Sequence, residues 1–305
     1  FTSGGVSRSN RKVDALVPWL PSNAALMWAI LVVMVYFTVA LWETFAANHT
    51  PRPGQGRRWV RSASFYIIGL LVSGLCVPIA ATTVVDWADL QRIGLFNQLQ
   101  LPTALAALLG VVLLDFGAYV THRAMHAVPV LWRFHGVHHS DLDVDCATDL
   151  LHHPIELLIG IALYFAQLLL WGLPYESVLI FALLGIISSP WQHGNLKLPT
   201  AIERYVSLVL VTPEMHRIHH SSAAIDGNRN FSAIFKWWDG LLGTYARAPI
   251  DGWSALRFGL AERQNAGDVT FFKLLFEPLG VMPRLRFDRR LTRPLRHNTA
   301  RTIRR

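Results

Sequence analysis

Long apolar segments alternate with short polar ones along the first two thirds of the chain, and this alternation predicts membrane-embedded helices. Three of the segments carry one charged residue at most and span residues 24–42, 63–85 and 102–121. A helix of about 20 apolar residues crosses the hydrocarbon core of a bilayer, so each segment is long enough for one crossing. A fourth apolar segment, 155–189, is interrupted by Gly172 and Pro174 and therefore predicts a tilted helical hairpin.

The chain after residue 197 is more polar and contains no apolar run long enough to span a membrane. We expect it to form a helical cap beneath the membrane helices. Residues 1–20 are predicted to be a disordered tail, because their first part is rich in Gly, Ser and Arg. The predicted fold class is all-α: an integral membrane protein with about four to five membrane-embedded helices, including the hairpin, and a helical cap.

Arginine residues place one side of this arrangement in the cytoplasm. The loop at 47–61 contains four arginines, and cytoplasmic loops carry an excess of Lys and Arg. The end of the third apolar segment and the helical cap then face the cytoplasm as well. Basic residues near the start of the chain would lie on the opposite side if 24–42 crosses fully, so whether that segment spans stays open.

Composition supports a membrane protein and argues against nucleic-acid binding. Hydrophobic residues make up 52% of the chain and charged residues 16%, whereas soluble domains carry about 25% charged residues. The net charge is +8, and beside apolar spans a basic balance indicates a surface that faces anionic lipid. The two cysteines, Cys76 and Cys146, are too few for a disulfide framework.

Eight of the 13 histidines fall into three compact boxes. The boxes are His122 and His126; His135, His138 and His139; and His216, His219 and His220. Helical residues at i, i+3 and i+4 share one face, so each box can present two or three imidazoles to one point. Neutral imidazole is a common ligand of zinc, copper, iron and nickel. The boxes therefore predict a polynuclear metal site, and eight imidazoles favour two ions over one.

Two histidines outside the boxes are further candidate ligands. His193 follows the hairpin, which returns the chain to the metal side, and His153 stands at the start of the hairpin. The neighbouring His152 is as well explained by a polar pair at a helix end as by metal binding.

Three more polar residues are candidates to support the ligands: Asp115, Tyr119 and Glu156. A carboxylate near the end of an apolar helix is costly unless it is paired. We expect Asp115 to accept a hydrogen bond from a ligating histidine and so to fix its tautomer. The open alternatives are an unpartnered interfacial charge for Asp115 and an interfacial aromatic for Tyr119.

Four motifs resemble a known family. They read D-x-x-x-Y-x-x-H-R-x-x-H at 115–126, L-W-R-F-H-x-V-H-H-S at 131–140, H-R-x-H-H-S at 216–221 and N-F-x-x-x-F-x-W-W-D-x-L-L-G-T-Y at 230–245. Together they are similar to the fatty acid hydroxylase / sterol desaturase superfamily. Two positions depart from that pattern, because Leu151 stands where the family often has Arg and Ser232 where it has Gly.

The resemblance implies a non-haem di-metal enzyme that uses O2 and electrons to hydroxylate a fatty-acyl or sterol-like lipid. Residues 21–245 would be the membrane-embedded catalytic domain and residues 246–305 a basic cytoplasmic segment. The expected cofactors are two iron ions, since zinc has no redox chemistry and would only replace iron in purified protein. The expected partners are a bilayer lipid and a separate electron donor of the ferredoxin or cytochrome type with its reductase.

Three alternatives stay open at this point. A desaturase would use the same iron site. A zinc-dependent membrane hydrolase needs about three protein ligands, so eight histidines are too many for it. A non-catalytic metal-binding or transport protein predicts ligands at mid-bilayer, whereas these boxes follow the ends of apolar segments.

Overall fold

A computed structural model describes residues 24–77, 80–99 and 101–280, and these residues form helices with no strand beyond isolated β-bridges. The predicted all-α class is confirmed. The tail predicted at 1–20 and the basic residues 281–305, with His297, lie outside the described residues.

Thirteen α-helices make up the described part of the chain. In chain order they are α1 (Ala24–Phe45), α2 (Gln55–Cys76), α3 (Ala81–Leu90), α4 (Leu95–Leu99), α5 (Thr103–Ala127), α6 (Pro129–His138), α7 (Pro154–Trp171), α8 (Tyr175–His193), α9 (Thr200–Val206), α10 (Pro213–His219), α11 (Ala224–Gly227), α12 (Trp237–Leu241) and α13 (Phe271–Phe276). Short 3-10 helices lie at Cys146–Leu150, Trp253–Ala255 and Ala266–Asp268.

Four segments of the described chain are long and apolar enough to cross a membrane. They are Leu26–Phe45, Gln55–Leu99, Thr103–Ala127 and Pro154–Trp171. Large apolar side chains on these helices face outward, with exposed fractions of 65% for Val33, 61% for Leu71, 66% for Leu108 and 62% for Leu170. Exposed apolar faces of this extent require a nonpolar surrounding, so the protein is an integral membrane protein.

The second apolar segment differs from its predicted bounds of 63–85. α2 already begins at Gln55 and ends at Cys76, and a separate helix, α3, begins at Ala81. The early end has a local reason, since Val77 precedes a proline in the sequence and a residue before proline is disfavoured in the helical region. The early start of α2 corrects the prediction of an arginine-rich loop at 47–61. The last arginines of that predicted loop lie in the first turns of α2.

The hairpin prediction is confirmed at its interruption. α7 ends at Trp171 and is capped by Gly172, which has a left-handed φ of 62°, and Pro174 caps the start of α8. A Cβ on Gly172 would lie 2.6 Å from the Ile93 carbonyl oxygen, so this close approach requires glycine. Both arms of the hairpin pack against α5, which places α5 at the centre of the bundle.

Two buried arginines connect α2 to the segment that follows the second histidine box. Arg58 donates two hydrogen bonds to Asp141, at 2.8 Å and 3.0 Å, and one of 3.1 Å to Asp145. Its Nη2 also donates to the carbonyl oxygen of Asp143 at 2.9 Å. Arg61 donates to Asp141 at 2.8 Å and to the carbonyl oxygen of Val269 at 2.7 Å. We call these two arginines and three aspartates the Arg/Asp network.

The Arg/Asp network and its surroundings gather the histidine-bearing segments at one end of the bundle. Asn48, after α1, donates from its backbone to the Asn195 carbonyl at 3.0 Å, after α8. The Nε2 of His49, also after α1, lies 2.6 Å from Asp143 Oδ1. The end of α1 and the start of α2 therefore meet the chain that carries the second and third boxes.

Candidate metal centre

The second and third histidine boxes lie at the C-terminal ends of two short helices. α6 ends at His138 and α10 at His219, and the last histidine of each box is the residue that caps its helix. Both helices carry a proline in their first turn, a position that tolerates its missing N–H. The carbonyl-rich C-terminus of a helix favours positive charge, so both boxes stand where a cation is stabilised.

Nine histidines form two adjacent groups of potential ligands. The first group is His122, His126, His135, His139 and His219; the second is His138, His193, His216 and His220. Within each group the ligand nitrogens all lie within 4.8 Å of one another. The rings of His139 and His220, one from each group, stack with centroids 4.5 Å apart. Nine of the ten predicted ligands are thus brought together.

Backbone carbonyls hold three of these rings by the nitrogen that faces away from the group. The Nδ1 of His122 lies 2.8 Å from the Phe231 carbonyl oxygen, and that of His219 lies 2.8 Å from the Arg229 carbonyl oxygen. His193 makes the same contact with Ser189 at 2.8 Å. A carbonyl only accepts, so each Nδ1 carries the proton and each Nε2 carries a lone pair available to a metal.

The Nε2 atoms converge without enough protons to satisfy them. His193 Nε2 lies 3.1 Å from His138 Nε2 and 2.9 Å from His216 Nε2. The buried Nε2 atoms of His135 and His219 have no hydrogen-bond partner among the described residues. Buried nitrogens left unpaired are costly, and a metal cation between them removes that cost. The donor set therefore fits two imidazole-bound metal ions.

Burial keeps these imidazoles neutral. Burial lowers the pKa of His219 well below its ordinary value, and the nearby histidines lower it further. The pKa values of His138, His139, His216 and His220 are lowered well below the ordinary value for the same two reasons. Neutral imidazole is the form that binds metal, so the site is prepared for ligation at neutral pH.

Glu156, which the sequence offered as a supporting residue, contacts two histidines at the edge of the site. Its Oε1 lies 2.7 Å from His135 Nδ1 and 2.9 Å from His152 Nδ1. The His135 proton is therefore held on Nδ1, and its Nε2 is left for the metal. His135, His152 and Glu156 also form a small group of potential ligands at the edge of the site.

We expect Glu156→Gln to weaken metal binding by about 10- to 100-fold, because His135 loses the carboxylate that orients its ring. A competition titration against a chelator of known affinity measures this change. Glu176→Gln, on the same hairpin but outside the histidine groups, is the matched control. Equal metal affinity in the two variants would contradict the assigned role of Glu156.

The structure places His153 outside both groups. His153 is the N-cap of α7, and its Nδ1 accepts a hydrogen bond from the Ile155 backbone N–H at 3.1 Å. Its Nε2 lies 3.1 Å from the Leu275 carbonyl oxygen. Both ring nitrogens are thus engaged elsewhere, and we do not retain His153 as a ligand.

Asp115 and Tyr119 do not contact a histidine nitrogen, which corrects the expected contact of Asp115. Asp115 is fully buried and accepts hydrogen bonds from the backbone of Ile234 at 2.9 Å and from Trp238 Nε1 at 2.7 Å. The hydroxyl of Tyr119 lies 3.0 Å from Thr244 Oγ1. Both residues fix the segment that follows the third box against α5.

The segment that follows the third histidine box contacts the site through its backbone. Asp239 accepts hydrogen bonds from the backbone of Phe231 at 2.8 Å and of Ser232 at 2.9 Å. The Phe231 carbonyl, held in this way, is the partner of His122 Nδ1. Sequence reasoning missed this carbonyl because any residue type supplies one.

Asp149 also contacts a histidine of the site, and the sequence analysis did not identify it as a candidate. Its Oδ1 lies 3.3 Å from His193 Nδ1 and accepts a hydrogen bond from Ser189 Oγ at 2.5 Å. Its Oδ2 accepts a hydrogen bond from the Tyr36 hydroxyl on α1. Asp149 therefore links a membrane helix to the histidine that ends α8.

Membrane-length helices with nine histidines converging at one end define an integral-membrane protein with a candidate dinuclear metal centre. Residues 107–244 match the family model described as "Fatty acid hydroxylase". That range contains all nine histidines and Glu156. The chain is therefore similar to that family over this range, which is a little less than half of its length.

Several curated proteins are similar to the chain. Ornithine lipid hydroxylase OlsE of Rhizobium tropici is 34% identical over 180 residues, which are 58% of this chain and 52% of that protein. Alkylglycerol monooxygenase of Homo sapiens is 28% identical over 142 residues, 46% of this chain and 30% of that protein. The chain thus spans about half the length of the first relative and about a third of the second. No solved structure matches the chain.

Proposed function

We propose that this protein is a membrane-bound, O2-dependent lipid hydroxylase with two iron ions held by the nine histidines. The observation that carries the proposal is the pair of adjacent imidazole groups, each with its nitrogens within 4.8 Å of one another. Five and four imidazoles suit one ion each, and an all-nitrogen set suits iron as well as zinc. Of these two metals, only iron changes oxidation state in a way that serves C–H oxidation.

With two iron ions bound, the centre supplies O2 activation and removal of a hydrogen atom from a C–H bond. The chain contributes ligand geometry, because carbonyls and Glu156 fix the ring orientations of His122, His135, His193 and His219. It also excludes water, since every ligand except His122 is buried. A dry, preorganised site protects a reactive centre from side reactions.

The substrate class follows from the surroundings and from the relatives. The relatives are named as a hydroxylase of ornithine lipid and a monooxygenase of alkylglycerol, and α5 brings His122 and His126 to the end of a membrane span. We propose an apolar lipid that enters laterally from the bilayer. The centre lies on the cytoplasmic side, on the positive-inside argument, and a separate ferredoxin- or cytochrome-type donor supplies electrons.

The test is iron reconstitution of the purified protein in nanodiscs, followed by turnover with bilayer lipid extract, an electron donor system and 18O2. A lipid product that gains one 18O atom supports the hydroxylase. A product that loses two hydrogens and gains no oxygen supports the desaturase alternative instead. Absence of iron-dependent O2 consumption and of any modified lipid overturns the oxygenase proposal.

A further inference from the structure

A cavity of about 740 Å³ lies against two of the segments that carry the grouped histidines. Its lining includes Leu196 and Arg217, which belong to the chain segments that carry His193 and the third box. The cavity is therefore built in part from the chain segments that position these histidines.

Four cationic side chains line the cavity, and the most informative is Arg217. The others are Arg52, Lys197 and Arg257. Arg217 is 3% exposed, and its Nη1 donates to the Leu196 carbonyl oxygen at 3.1 Å. Its Nε is buried and has no hydrogen-bond partner among the described residues. A buried guanidinium with an unpaired N–H is costly, and an anion with two oxygens suits its planar fork.

The cavity also carries carboxylates that lie outside the Arg/Asp network. Glu203 and Glu214 are part of the lining, and Glu203 accepts a hydrogen bond from Thr212 Oγ1 at 2.5 Å. Because cations and carboxylates line one cavity, a ligand with both an anionic group and an amine finds partners for each. Asp143 also lines the cavity but is less available to a ligand amine, because His49 and the Arg52 backbone N–H already contact its carboxylate.

We propose that this cavity binds the zwitterionic headgroup of a membrane lipid, with the phosphate or carboxylate on Arg217, Lys197 and Arg257 and the amine on Glu203 and Glu214. The proposal rests on the proposed function in one respect, namely that the bound lipid is the one oxidised at the metal centre.

The test measures binding to the purified full-chain protein in detergent without iron or reductant, so a failed oxygenase assay does not affect it. The probes are dihexanoyl phosphatidylethanolamine, dihexanoyl phosphatidic acid, dihexanoylglycerol and inorganic phosphate, each followed by microscale thermophoresis. We expect the phosphatidylethanolamine probe to bind most tightly. Lys197→Gln with Arg257→Gln should raise its Kd about tenfold or more, while Arg247→Gln, an exposed cation outside the cavity, should leave it unchanged.

Several results overturn the proposal. Equal binding of dihexanoylglycerol, or an unchanged Kd in the Lys197→Gln/Arg257→Gln variant, removes the cavity as a headgroup site. If inorganic phosphate binds as tightly as the phosphatidylethanolamine probe, the cavity is an anion site and not a lipid site. If phosphatidic acid binds as tightly as that probe, the amine of the headgroup makes no contribution to binding. Glu214→Gln gives an independent check, because it should reduce the preference for phosphatidylethanolamine over phosphatidic acid. Arg217→Lys, which keeps the charge but loses the fork, should weaken binding if the variant folds.

Discussion

Replacing His216 with alanine is expected to lower the metal content of the iron-reconstituted protein from about two ions per chain to about one, and lipid hydroxylation by more than about 100-fold. His216 Nε2 lies within 3.2 Å of the Nε2 atoms of both His193 and His220. Its loss therefore opens the four-histidine group, whereas the five-histidine group keeps every ligand. Inductively coupled plasma mass spectrometry gives the metal content, and product analysis gives the rate.

The matched change in the other group is His219→Ala, which should also leave about one ion, with the second group intact. His153→Asn is the control, because His153 is a buried histidine outside both groups and asparagine preserves an N-cap. It should retain about two ions. Full metal content in His216→Ala and His219→Ala, or equal loss in all three variants, would contradict a centre with two separate imidazole groups.

The sequence predicted which histidines the structure brings together, because helical spacing is a local property. Residues at i, i+3 and i+4 face one direction in any helix, so the boxes needed no knowledge of the tertiary fold. His193 was reached by one further step, the return of the hairpin. His152 and His153 show the limit of this reasoning, since adjacent residues point in different directions. Pro154 in the first turn of α7 makes His153 the cap, and it is His152 that contacts Glu156.

The contacts around the ligands were harder to predict because they depend on which segments meet. Asp115 lies on the helix face that also carries His122, and that pattern indicated a histidine partner. The structure instead packs Ile234 and Trp238 against Asp115. The backbone carbonyls of Phe231 and Arg229 hold His122 and His219. They could not be predicted from the sequence, because every residue type has a backbone carbonyl.

The alternating aspartates after the second box were a signal that sequence reasoning passed over. Asp141, Asp143 and Asp145 all become buried, and they follow shortly after His138 and His139 of the second box. Three carboxylates at such spacing in a buried segment require cations. Arg58 and Arg61, which lie in the first turns of α2, supply them. The arginines on which the predicted membrane orientation rests are thus also structural partners of the segment that follows the second histidine box.

We expect Arg58→Met to lower the free energy of unfolding by about 3–5 kcal/mol, because the substitution leaves buried carboxylates without their main cation. Arg58 is 9% exposed, and Asp141, Asp143 and Asp145 are each 2% exposed. The measurement is denaturant or thermal unfolding of the detergent-solubilised protein. Arg57→Met, at an exposed position on the same turn, is the control and should change the unfolding free energy by less than about 0.5 kcal/mol.

The dependence of this effect on pH separates lost ion pairing from lost packing. Burial alone would raise the pKa of Asp141, but the charge and hydrogen bonds of Arg58, followed by the charge of Arg61, hold it below its ordinary value. A carboxyl with a depressed pKa stabilises the fold above its unfolded pKa, about 3.9, and that contribution is lost as the pH falls through the lower folded value. The difference between wild type and Arg58→Met should therefore be full at pH 7 and shrink below about pH 4. A difference that is the same at both pH values would assign the effect of Arg58 to packing of its side chain rather than to the aspartates.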